Sequence, residues 1–149
     1  MLETPKPINT DSDDKPHEEC GIVGAYVPGE SVARTTFFGL FALQHRGQES
    51  AGIATSEGDR IHLKAKMGLV SQVFREETLT GLPGHVGIGH TRYSTMGGSK
   101  EYNAQPLLAD GQRGQIAVGH NGNVINAADL RIEMAEEFGS TFEKTSDTE

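Results

Sequence analysis

With 149 residues the chain is long enough for one domain with a real core, and its 35% hydrophobic fraction is low only until 19 glycines are counted. The net charge of −8 (21 acidic, 13 basic residues) comes with no basic stripe and no aromatic–basic interleaving, which excludes a nucleic-acid surface. No apolar run reaches the length of a membrane span, and a single cysteine permits no intrachain disulfide. These features place the chain in the cytoplasm by default.

Residues 1–19 hold three prolines and six acids against two lysines. That composition cannot offset the entropy of ordering, so the segment reads as a disordered leader. It lacks the positive and apolar regions of a secretory signal. Order is expected from Cys20. Gly21 to Val27 reads as a buried strand ended by Pro28-Gly29. Ser31 is placed to cap a helix with Ala33, Phe37, Leu40 and Phe41 on one face. His45-Arg46-Gly47 closes it, Gly47 being suited to a left-handed cap. Strands Gly52 to Ser56 and Arg60 to Lys66 flank Gly58-Asp59. A short helical piece is expected near Leu69 to Phe74.

Two further strands share one grammar, Val86 to His90 and Ile116 to His120. Branched residues alternate with very small ones, so Val86 and Ile88 fall on one face, Gly87 and Gly89 on the other. The small face invites close approach by another layer or a substrate. A helix should open at Asn126, turn Leu130, Met134 and Phe138 inward, and end at Gly139. Ser146 and Glu149 form a capping box that announces a helix beyond the last residue, which suggests a partial sequence.

The chemistry centres on Cys20. A lone cysteine is ordinarily a small buried hydrophobe. Here it begins the first ordered strand directly after a removable segment. Cleavage of Glu19–Cys20 would pair its thiol with a free α-amine, matched as nucleophile and base near neutral pH. Asn121-Gly122 is a hairpin turn on the plain reading. On the functional one, the Asn121 amide and the Gly122 N–H point at one developing negative charge. Arg92 and Asp147 offer opposite charges that suit the carboxylate and ammonium of an amino acid. The run from Tyr93 through Ser94, Thr95 and Gly98 has the glycine hinges of a lid. The histidines show no metal-ligand grammar, and His90 and His120 are read as structural.

Five motifs in order, Cys20-Gly-Ile-Val-Gly, Leu43-Gln-His-Arg-Gly-Gln-Glu49, Gly89-His-Thr-Arg-Tyr93, Gly119-His-Asn-Gly-Asn123 and Ser146-Asp-Thr-Glu149, resemble those of class II glutamine amidotransferases. These are N-terminal-nucleophile (Ntn) hydrolases. Gln44-His45-Arg46-Gly47-Gln48-Glu49 is most similar to the amidophosphoribosyltransferase branch. The resemblance implies an α+β fold, the four-layer αββα sandwich, incomplete at its C-terminal end. It implies residues 1–19 as a propeptide and 20–149 as the first part of a glutaminase domain.

It also implies roles. Cys20 would attack the glutamine amide, with Asn121 and Gly122 as the oxyanion hole. Arg92 and Asp147 would grip the substrate's α-groups, and Tyr93, Ser94 and Thr95 would lie in the loop that closes over it. Arg46 and Gly47 would support the nucleophile. The ammonia acceptor would be phosphoribosyl pyrophosphate, bound with Mg2+ by a domain outside these residues, and many relatives carry a [4Fe–4S] cluster there. No cofactor or metal is expected in this segment, and a homo-oligomer is expected at full length. The readings that compete are a glutaminase domain with a hexosephosphate acceptor and an unprocessed glutamine-binding module without catalysis.

Overall fold

The computed structural model describes residues 20–93, 100–111 and 113–149. The leader, Ser94, Thr95 and the rest of the lid segment to Ser99 lie outside them. The class is α+β. A four-stranded antiparallel sheet has the order β1 (Gly21–Tyr26), β4 (Val86–Arg92), β2 (Ser50–Ser56), β3 (Ile61–Met67). Glycine at position 58, with φ +124°, makes the β2–β3 turn. A second sheet is the hairpin β5 (Leu107–Gly111) and β6 (Gly114–Val118). The helices are α1 (Val32–Ala42), α2 (Val70–Val73), α3 (Glu76–Thr80) and α4 (Ala127–Phe138).

The alternation in β4 does what its pattern predicts. A Cβ on Gly87 would come within 2.8 Å of Thr36 Oγ1, and one on Gly89 within 2.8 Å of Leu40 Cγ. The small face is therefore the seat of α1. Gly39 returns the favour, since a Cβ there would meet Val23 Cγ1 at 2.8 Å. Around this contact Ala33, Leu40, Ile53, Val70 and Phe74 form the buried core. Each large member stabilises the fold by roughly 1.5–3 kcal/mol through burial.

The opposite face of the sheet meets the hairpin and the segment before it. Gln115 Oε1 accepts the Ile61 N–H at 3.0 Å, and Ala117 shares a cleft with Ala54, Val86 and Ile88. Gly52 is indispensable here, because a Cβ would lie 2.1 Å from the Gln105 carbonyl oxygen. Helix, sheet and second sheet thus give three layers of the αββα order.

Several sequence expectations need correction. Phe41 is 54% exposed and stacks on Phe37 rather than entering the core; the buried face of α1 is Val32, Ala33, Thr36 and Leu40. Gly47 follows a 3-10 turn, Gln44–Arg46, with φ −147°, so it is extended and not a left-handed cap. Its need for glycine is steric, a Cβ there falling 2.7 Å from the Thr91 carbonyl carbon of β4. Ser31 and Asn126 sit at their helix starts without side-chain cap bonds. The second glycine-rich strand stops at Val118, short of His120, and it pairs with β5, which the sequence did not announce. In α4, Gly139 takes the left-handed cap as expected, with φ +66°, but Leu130, Met134 and Phe138 are exposed.

Candidate active site

The site forms at the edge of the sheet where β1 begins and β4 ends. In the β1–β4 register Gly21 faces Thr91, which sets Cys20 level with Arg92; Arg92 in turn faces Ser50 across β2. Cross-strand partners share a face, so Cys20, Arg92 and Ser50 all look toward the second sheet, away from α1. The half-buried Cys20 thiol donates to the Tyr93 carbonyl at 3.6 Å. Tyr93 turns its own ring outward.

Two side chains from distant segments hold the Cys20 backbone. Asn121 Nδ2 donates to the Cys20 carbonyl oxygen at 3.0 Å across 101 positions of sequence, and Arg46 Nε donates to the same oxygen at 3.4 Å. Gly47 seats the turn carrying Arg46 against β4, as its close approach to Thr91 requires. Asn121-Gly122 is not a hairpin turn; the hairpin bends at Gly111 to Gly114, where Gly114 has φ +120°. A Cβ on Gly122 would collide with His120 Nε2 at 2.5 Å, so the loop closes on its own histidine ring.

Arg92 is 5% exposed, and its Nη1 donates to the Asn103 carbonyl oxygen at 3.3 Å. Asp147 reaches the same region from the chain's last turn. Its Oδ2 accepts the Val124 N–H at 2.7 Å, which ties it to the loop that begins at Asn121. The turn itself uses half of the predicted capping box. Ser146 Oγ accepts the Thr148 N–H, whereas the Glu149 carboxylate accepts from Glu143 N and Lys144 N and pairs with Arg131. The structure therefore brings Cys20, Arg46 and Asn121 together, with Gly122 adjoining Asn121, whereas Arg92 bonds to Asn103 and Asp147 to the Val124 N–H. Ser94 and Thr95 fall outside the described residues.

His90 is fully buried in β4, and its Nε2 lies 3.0 Å from the His120 carbonyl oxygen. A carbonyl only accepts, so Nε2 carries the proton and Nδ1 is bare; Nδ1 finds no hydrogen-bond partner among the described residues. Burial pushes the His90 pKa down to about 4; the bond to the His120 backbone opposes the shift, and the charges of Arg92 and His120 add to it. The ring is neutral at physiological pH. Asn103 and Gln105, both buried, were not anticipated. Polar residues ahead of a proline read as an ordinary loop, and no local pattern marked them.

Comparison with known proteins bears on this arrangement. Residues 90–149 match the family described as "Glutamine amidotransferase domain". The amidophosphoribosyltransferase of Synechocystis sp. is 50% identical over 144 residues, and that of Synechococcus elongatus is 57% identical over 121. By sequence the chain is similar to these amidophosphoribosyltransferases. These alignments cover 97% and 81% of the chain but 29% and 24% of the relatives, so the chain spans less than a third of their length. Among solved structures, glutamine phosphoribosylpyrophosphate amidotransferase from B. subtilis, complexed with ADP and GMP, superposes with a TM-score of 0.74 at 39% identity. That match covers 85% of this chain and 27% of the other. A structure titled as the allosteric regulatory enzyme of purine biosynthesis gives 0.76 at 40%. The fold is therefore that of the Ntn hydrolases, as the family's motifs imply.

Proposed function

We propose that this chain is the glutaminase part of an enzyme that transfers glutamine nitrogen to phosphoribosyl pyrophosphate. The observation that carries the reading is the Asn121 amide 3.0 Å from the Cys20 carbonyl, which seats an amide donor beside the chain's only cysteine. The relatives' names supply the acceptor. Cleavage of Glu19–Cys20, with residues 1–19 as the removed propeptide, would free the α-amine as base.

In the first half-reaction that amine takes the thiol proton and the sulfur bonds to the side-chain carbonyl carbon of glutamine. Negative charge moves to the carbonyl oxygen, where Asn121 Nδ2–H and the Gly122 N–H receive it. Collapse of the tetrahedral centre breaks the C–N bond, and the proton held on the α-amine leaves with the nitrogen as ammonia. A γ-glutamyl thioester remains. Water, deprotonated by the same amine, attacks it and expels the thiolate as glutamate forms. Arg92 would take the substrate α-carboxylate and Asp147 its ammonium, with Tyr93, Ser94 and Thr95 in the loop over it.

Ammonia would then attack C1 of phosphoribosyl pyrophosphate, displace pyrophosphate and give 5-phosphoribosylamine, the opening step of purine synthesis. The acceptor and its Mg2+ would be held by sequence outside these residues, as would any [4Fe–4S] cluster, since four cluster thiolates cannot come from one cysteine. A cytoplasmic homo-oligomer completes the reading; no helix among the described residues is long and apolar enough to cross a membrane. The test is product analysis on the full-length protein. Glutamate release with glutamine, and pyrophosphate release only when phosphoribosyl pyrophosphate is added, are expected. Glutamate release stimulated by a hexose phosphate instead would replace the acceptor, and no release in either case would leave a binding module.

A further inference from the structure

The groups that would handle glutamine come from four separate segments, and a single buried stretch, Asn103 to Gln105, touches three of them. Gln105 is 5% exposed. Its Oε1 accepts the His120 N–H at 2.7 Å, and its Nε2 donates to Thr148 Oγ1 at 2.8 Å. A backbone N–H can only donate, so this orientation of the amide is forced. His120 adjoins Asn121, and Thr148 adjoins Asp147. One side chain therefore spans from the oxyanion loop to the turn that carries the ammonium-binding carboxylate. Asn103, fully buried, accepts from Arg92 through its carbonyl, donates its Nδ2 to Thr145 Oγ1 at 2.8 Å, and accepts the Thr145 N–H at 3.3 Å. Behind them Gly52 lets the stretch lie directly on the sheet.

The distance between an amino acid's α-carbon and its side-chain amide carbonyl is set by its covalent structure. Asparagine is one methylene shorter than glutamine. A site that accepts one and rejects the other must hold its α-amino clamp and its oxyanion donors at a fixed separation. We propose that Gln105 is the positioning residue that sets this separation, with Asn103 fixing the Arg92 end, and so measures side-chain length. The proposal rests on the glutaminase reading above and extends it to specificity. Displacing catalytic groups by about 1 Å can cost on the order of 100-fold in rate, and only the correctly sized substrate has that rate to lose.

The experiment compares γ-glutamyl and β-aspartyl hydroxamates, activated so that the slow substrate is measurable, in the full-length protein. Gln105→Met removes both bonds at similar volume, and Thr148→Val removes one end. Active sites are titrated with a diazoketone glutamine analogue, so that misfolded protein drops out of the rates. Gln105→Met is expected to lower kcat/KM for the glutamyl substrate about 100-fold and the aspartyl substrate far less, narrowing the ratio at least tenfold. Thr148→Val is expected to narrow it by a smaller factor. A purely structural role would lower the titre and leave the ratio alone. If Gln105→Met does not fold, Thr148→Val decides by the same ratio. A ratio unchanged in the folded variants overturns the brace alone. A wild-type protein that releases no glutamate overturns the glutaminase reading and the brace with it.

Discussion

The two faces of the four-stranded sheet are built from the same strands by opposite means. Toward α1 the sheet offers Gly87, Gly89, Ala51 and Ile53, and the contact is apolar and tight. Toward the second sheet it offers Cys20, Ser50, His90 and Arg92, and the contact is made by hydrogen bonds over long sequence separations. Packing of the first kind tolerates no change of volume but asks little of direction. Hydrogen bonds fix direction, and removing one partner leaves the other unsatisfied. One face holds the sheet; the other holds the chemistry in register. Substitutions on the two faces should therefore separate stability from activity.

The largest separation is expected at Asn121. Asn121→Ala removes the clamp on the Cys20 carbonyl and, on the proposed reading, an oxyanion donor, so kcat for glutamine hydrolysis should fall about 100- to 1000-fold with little change in melting temperature. Steady-state kinetics beside a thermal melt checks this, and a parallel loss of both would place Asn121 in the scaffold. The converse is Leu40→Ala on the other face. Leu40 is fully buried against Gly89, and its truncation should cost about 2–5 kcal/mol by denaturant unfolding. The protein that remains folded should keep its kcat.

The smallest effect distinguishes the faces by pH. His90 has its pKa lowered from 6.5 to about 4, so the unfolded chain binds a proton at pH values where the native ring stays neutral. Stability contributed by the neutral ring is thus full above pH 6.5 and is lost as pH falls toward 4, flattening below that. The slope approaches ~1.4 kcal/mol per pH unit, up to about 3 kcal/mol across the window. His90→Gln keeps a donor within reach of the His120 carbonyl and removes the titration. Between pH 4 and 7 the wild type should lose stability toward the acid end relative to the variant, so that the two separate most there. An identical pH slope in the two would assign the dependence to other groups.

These contrasts also explain what was legible in the sequence. Period-two alternation of glycine and branched residues in β4 announced a face open to another layer or a substrate, because that pattern is local to one strand, and α1 is what sits there. The motif residues Cys20, Arg46 and Asn121 were legible through resemblance, and the structure joins them by side-chain bonds to one carbonyl. Gln105 and Asn103 were not, since their partners sit 11 to 43 positions away and nothing local marks them. The position of Phe41 failed for a related reason. Helical spacing defines a stripe, but the narrow seat formed by Gly87 and Gly89 admits only the Val32–Thr36–Leu40 edge of it. In α4 the apolar stripe was visible, whereas what it packs on is a tertiary fact that no spacing encodes.

Whether Cys20 acts as an N-terminal nucleophile is decided most directly by one mass spectrum. Full-length protein treated with a diazoketone glutamine analogue is digested, and its N-terminal peptide is sequenced. The expected result is a chain that begins at Cys20, with one adduct on that sulfur and none in Cys20→Ser. A chain that retains Glu19 and hydrolyses glutamine, or an adduct on any other residue, would contradict it.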